Sequence, residues 1–190
     1  MKKTLASVLV AGALAAPAMA APVEYNIDPR HTFPVFEVNH LGFSTQRGRF
    51  NKTEGRVVLD REAKQGSVEL TIDVESLDMG FETWDEHMAD EGFFDTARHP
   101  TITFKSNKLI FDGDKVVGAE GHLTLLGVTR PVKLKVENFT CKPHPMLKKE
   151  ACGADISTVI KRSEFGMTKL IPAVGDEVRI YSPVEAIRKD

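Results

Sequence analysis

Between Val68 and Val74 every second residue is apolar: Val68, Leu70, Ile72 and Val74 alternate with Glu69, Thr71 and Asp73. A period of two sends the apolar side chains to one face of a strand and the polar ones to the other. The same alternation recurs in Ile102-Thr103-Phe104-Lys105, Leu123-Thr124-Leu125, Val132-Lys133-Leu134-Lys135-Val136 and Val178-Arg179-Ile180. Strands therefore recur about every ten to fifteen residues. The breaks carry turn chemistry: Asp112-Gly113-Asp114, the run Gly127-Val128-Thr129-Arg130-Pro131, and the segment between Cys141 and Cys152. Short connections predict successive antiparallel hairpins. Such strands build an up-and-down barrel or a sandwich, and barrel closure removes the edges that a sandwich has to protect. The predicted class is all-β with a short helix, folded as an antiparallel β-barrel.

One stretch departs from the alternation. Thr83-Trp84-Asp85-Glu86 has the capping-box form, with Thr83 as N-cap and Glu86 three residues on, and Gly92 stands where a helix would end. The spacing predicts a helix over about 84–91. Phe81, Trp84 and Met88, with His87 beside them, share one side at helical spacing, so this helix is expected to lie apolar-face-down on the barrel or its mouth.

Phenylalanines cluster in two places: Phe33, Phe36, Phe43 and Phe50 early in the chain, and Phe81, Phe93 and Phe94 around the helix. They suit a solid aromatic core as well as a cavity wall, since small barrels are often filled by their own side chains. Both readings stand on sequence alone. If Phe36, Val38 and His40 point inward, then Phe33 and Val35 face the other way, toward the helix or a neighbouring molecule.

The chain ends and the charge narrow the function. Lys2 and Lys3 precede an apolar run from Leu5 to Ala16, followed by Pro17 and Ala18-Met19-Ala20. This is the pattern of a secretory signal peptide over residues 1–20, with a run shorter than the ~18 residues that span a bilayer. The mature part, residues 21–190, is expected to be one barrel domain in the periplasm. Removing Lys2 and Lys3 from 25 basic residues leaves 23 against 27 acidic, a net charge of −4. That interleaved, slightly acidic balance gives no electrostatic footprint for nucleic acid. Cys141 and Cys152 enclose a polar, proline-flanked loop, and an exported chain would close them into a hairpin-tip disulfide.

Catalytic chemistry finds no motif. Gly42-Phe43-Ser44-Thr45-Gln46 is not a nucleophile elbow, and there is no His-Glu-x-x-His, paired zinc motif or phosphate-cradling loop. Glu86, His87 and Asp90 could in principle hold a metal, but carboxylates at a helix start usually act as caps. The expectation is a binding protein without a cofactor or metal rather than an enzyme.

Several segments in combination resemble one family, the YceI-like, lipocalin-like polyisoprenoid-binding proteins, across essentially all of the mature chain. They are Tyr25-Asn26-Ile27-Asp28 with His31-Thr32, Phe36-x-Val38-x-His40-Leu41-Gly42, Gly48-Arg49-Phe50, Asp85-x-His87-Met88 and Phe93-Phe94-Asp95. Pro100 to Phe104, Gly121 to Val132, Arg162-Ser163-Glu164-Phe165-Gly166-Met167 and Gly175-Asp176-Glu177-Val178 complete the likeness. Trp84, where the family usually has arginine, and the two cysteines depart from it.

The resemblance implies an extended lipocalin-like barrel with an apolar internal cavity for a long isoprenoid, such as an isoprenoid quinone or polyprenyl phosphate, held for transport, storage or presentation. Candidate inward apolar positions are Phe36, Val38, Phe50, Val57, Leu70, Ile72, Ile102, Phe104, Leu123, Leu125 and Phe165, with Trp84, His87, Met88, Phe93 and Phe94 closing one end. His40 and His87 either orient a polar head or face solvent. Alternatives are a redox accessory presenting quinone to a membrane electron-transfer protein, and a lipid or diphosphate hydrolase. Expected partners are the isoprenoid lipid and, transiently, a membrane or a membrane electron-transfer protein; a homodimer is compatible with the sequence.

Overall fold

The computed structural model describes residues 21–190, so the expected signal peptide lies outside the described residues. In chain order the strands are β1 (Val23–Ile27), β2 (Val35–His40), β3 (Ser44–Phe50), β4 (Thr53–Asp60), β5 (Gln65–Asp73) and β6 (Leu77–Asp78). Helix α1 (Glu82–Ala89) follows, then β7 (Thr101–Asp112), β8 (Lys115–Leu125), β9 (Val128–Pro143), β10 (Glu150–Lys161) and β11 (Val174–Arg188). Strands β4, β5, β7, β8, β9, β10 and β11 pair antiparallel in succession, and β1 closes the ring by pairing with both β4 and β11. The result is a closed eight-stranded barrel.

β11 is long enough to serve two neighbours. Its last residues pair with β1, through Ile27 with Ala186, whereas its first half pairs with β2, through Phe36 with Ile180 and Val38 with Val178. β2 continues into β3, and β3 into the short β6. One end of the barrel is thus walled by β1 and the other by a flap of β2, β3 and β6.

Register carries the alternation into the interior. Leu70 lies opposite Phe104, which lies opposite Leu123, and Ile72 lies opposite Ile102. All but the half-buried Ile72 are buried. Across the barrel, Ile160 pairs with Val178 and Thr158 with Ile180. Rows of inward side chains follow because directly opposed residues share a face.

Three local expectations need correction. The helix begins two residues earlier than its spacing suggested, with Phe81 as N-cap and no side-chain cap, so Thr83 and Glu86 form no capping box; the terminus is instead tied by Asp85, which accepts a hydrogen bond from the Met79 amide at 2.6 Å. Asp90 rather than Gly92 caps its end. The β8–β9 turn is two residues, Leu126 and Gly127, both at positive φ, and Val128 already pairs with Leu125. That doubly left-handed form matches strand twist, and glycine supplies one of its two positions without strain. Pro131 therefore sits inside β9, beyond the last β9–β10 pair at Lys135, where its missing N–H breaks no β9–β10 bond. The cysteines form the expected disulfide, but from strands rather than from the loop itself: Cys141 of β9 lies directly opposite Cys152 of β10, and the buried Cys152 faces the interior.

Candidate functional site

The barrel lumen is hollow. A mouth chamber of about 410 Å³ occupies the end walled by β2 and β3, and a smaller chamber of about 90 Å³ occupies the end walled by β1. Leu70, Leu134 and Ile156 border both. The larger volume falls within the ~300–1,000 Å³ usual for small-molecule sites.

Phe36, Val38, His40, Phe50, Leu70, Ile72, Ile102, Phe104, Leu123 and Leu125 line the mouth chamber, and so do Trp84, His87, Met88, Phe93 and Phe94. Val57 lines the inner chamber instead. Phe165, a position the resemblance implied, lines neither: it belongs to the 3-10 turn Arg162–Phe165 and at 1% exposure is packed into the core. Phe33 lines neither chamber, and the Arg49 guanidinium lies 4.4 Å from its ring centre. Val35 borders the mouth.

The flap and helix shape the entrance. Phe36, Phe50 and Phe94 pack ring against ring with centroids 5.4 to 5.9 Å apart, an arrangement in which offset and edge contacts are favourable. Phe36 lies over Gly48, its cross-strand partner; a β-carbon there would come within 2.4 Å of the Phe36 ring and of Met79 Sδ, so a larger residue would displace both from the mouth. His40 and Trp84 face each other at 6.2 Å. His87 stands edge-on to Phe93, whose other contact is the Lys169 ammonium at 4.7 Å. Phe81, expected to face down with Trp84 and Met88, is 61% exposed. Leu41 and Phe43 on the β2–β3 turn and Leu170 before β11 are exposed as well, Phe43 at 89%.

The mouth chamber holds one buried cation. Arg162, 3% exposed, donates Nε to the Gly175 carbonyl, Nη1 to those of Met167 and Lys169, and Nη2 to that of Val174. Four carbonyls satisfy a guanidinium that burial pushes toward a lower pKa, an effect opposed by the charge of Asp176. Asp176 itself accepts from the Ser163 amide and hydroxyl. These bonds fix the 167–175 segment, and Leu170 with it, against the barrel.

At the inner end, the Tyr25 hydroxyl donates to Glu150, which also pairs with Arg61. Burial and that carboxylate push Tyr25 up to about 12. Among the described residues the one group with metal-like spacing is Asp28, His31 and Glu185. Its buried Asp28 carboxylate is already occupied by the Arg30 amide, the Arg30 guanidinium and His31, which hold it well below the usual carboxylate range. Glu86 and His87 belong to no such group; His87 Nδ1 stands 4.0 Å from Asp90.

The wall from β9 to β11 was not in the expected set. Val132, Leu134, Ile156, Thr158, Ile160, Val178 and Ile180 complete the mouth chamber. Val132-x-Leu134 and Val178-x-Ile180 carry the same alternation as Leu70-x-Ile72 and Leu123-x-Leu125, so the sequence does mark this wall. Met79, Gln46, Met167 and Arg162 also line the chamber, from segments without alternation or with polar sequence.

Comparison with known proteins places these features. The YceI-like domain matches residues 25–186. The UPF0312 protein of Pseudomonas aeruginosa strain LESB58 is 32% identical over 192 residues, covering all of both chains. Among solved structures, Burkholderia cenocepacia BcnA superposes with a TM-score of 0.70 at 26% identity, over 84% of this chain and 98% of that one. A polyisoprenoid binding domain from Saccharophagus degradans, implicated in plant cell wall breakdown, shares the fold at a TM-score of 0.65 and 16% identity, over 88% and 99% of the two chains.

Proposed function

The chain belongs to the YceI-like domain family, and on that premise we propose that it is a periplasmic carrier or store that binds one long-chain polyisoprenoid, or a similar amphiphilic lipid, in its barrel lumen. The observation that carries this reading is the mouth chamber of about 410 Å³, walled almost wholly by aliphatic and aromatic side chains and opening beside exposed Leu41, Phe43, Phe81 and Leu170. The ligand named in the description of the Saccharophagus domain supports it. Binding, rather than turnover, is what such a wall does: it offers dispersion contacts and excludes water, with few polar groups to polarise a bond.

Energetics selects the source of the lipid. Each buried methylene gains about 0.8 kcal/mol relative to water, so a many-carbon isoprenoid would exceed the practical affinity ceiling of about 20 kcal/mol if water were the donor phase. A membrane is the donor and acceptor instead. Transfer between two apolar hosts is nearly balanced and permits both loading and release. The exposed apolar side chains around the mouth would touch the bilayer during exchange.

The single tryptophan, Trp84, stands at the entrance and gives the test. Titrating lipid-stripped protein with a polyprenol should shift its emission to the blue with saturation at one lipid per chain. Emission that stays unchanged while polyprenol is added in excess would contradict the proposal.

A further inference from the structure

The two chambers differ in chemistry as well as size. Among the polar side chains that border the lumen, His40, Gln46, His87, Thr158, Arg162 and Ser182 border the mouth chamber, where Arg162 and Ser182 already donate to backbone carbonyls, and Tyr25 borders the inner one. The inner chamber is bordered by Ile27, Val57, Leu59, Ala119 and Phe139 among others; its tyrosine hydroxyl is engaged with Glu150 and its cysteine is in the disulfide. An amphiphile entering the lumen therefore goes tail first, leaving its head among the polar groups.

Between the chambers stand the three side chains that border both. Leu70 comes from β5, and Leu134 and Ile156 come from β9 and β10. Around the ring, β7 and β8 separate β5 from β9, with β10 one strand further, so Leu70 faces the other two across the lumen. Ile156 is β-branched and held at χ1, while the leucines can change rotamer. Leu70 is buried and Leu134 only half-buried, so Leu134 has the more room to move.

We propose that Leu70, Leu134 and Ile156 form a neck that sets the hydrocarbon tail length the protein accepts, with the inner chamber as the subsite for the tail end. The proposal rests on the lipid-binding reading and adds a selectivity to it. A tail that fills the mouth chamber gains the inner chamber only by moving Leu134 aside, and one longer than both chambers leaves its surplus in water at the entrance.

The test uses the disulfide-intact protein, stripped of lipid and incubated with an equimolar ladder of polyprenols of graded length, with the bound fraction extracted and sized by mass spectrometry. The unsubstituted protein should show an upper length limit. Leu134→Ala should move that limit upward and raise the bound ratio of the next longer homologues about tenfold, as burial of roughly two further methylenes would. Ala119→Leu, which fills the inner chamber, should move the limit downward. Leu134→Val serves in place of Leu134→Ala if the larger truncation fails to melt cooperatively, with a smaller upward shift. Identical length distributions in all the proteins would overturn the neck while leaving lipid binding intact. If none of them takes up any polyprenol, lipid binding itself fails and the neck falls with it.

Discussion

Tyr25 closes the inner end of the lumen, where its hydroxyl meets Glu150. Because its pKa in the folded protein, about 12, lies above the ordinary value of 10, the proton is held more tightly folded than unfolded. The stability this contributes is complete below about pH 10 and is lost as pH rises toward 12. Tyr25→Phe should flatten the fall in stability between pH 10 and 12, as read by denaturant unfolding at each pH; an unchanged slope would show that other groups cause it. Arg162 acts by geometry. Its fork reaches four carbonyls at once, which a lysine ammonium cannot match, so both Arg162→Ala and Arg162→Lys should lower stability, the alanine variant by roughly 2–4 kcal/mol in thermal or denaturant unfolding. Neither role was legible in the sequence. Tyr25 lies in a five-residue strand and meets Glu150 from across the chain, whereas Arg162 lies in a turn and meets backbone carbonyls of the irregular segment that follows, which no side-chain pattern marks.

At the scale of elements, alternation located β5, β7, β8, β9 and the first half of β11, because one face of each meets the lumen and the other meets water. It failed where the backbone turned. The two-residue turn at Leu126-Gly127 places a leucine at positive φ, a position its side chain does not advertise, and Pro131 looked like a turn residue while standing in a strand. The capping-box pattern at Thr83 misplaced the start of α1 because Phe81 is the N-cap, without a side-chain cap, and Asp85 reaches back past it to tie the Met79 amide of the incoming segment. Asp85→Ala should cost about 1 kcal/mol and loosen α1, shifting Trp84 emission to the red. The disulfide staples β9 to β10 across directly opposed residues. Reduction, or replacement of both cysteines by serine, should lower stability by roughly 3 kcal/mol on the chain-entropy account for a loop of this size, measured by denaturant unfolding.

For the whole molecule, the sequence left a filled and a hollow barrel equally open, because the identity of inward side chains does not state how far apart the opposite walls stand. Closure of eight strands sets that separation, and inward residues such as Val38, Val178 and Ile180 are too short to bridge it. A hollow apolar interior forfeits dispersion contacts. At about 24 cal/mol per Å³, leaving even the inner chamber empty costs roughly 2 kcal/mol, so protein carrying lipid should melt at a higher temperature than stripped protein. The most direct test of the central claim is native mass spectrometry of the protein purified without added lipid or detergent. A lipid-filled lumen gives a mass above that of the chain by one amphiphile with a long hydrocarbon tail, released on denaturation. A lone chain mass, persisting after incubation with lipid vesicles, would contradict it.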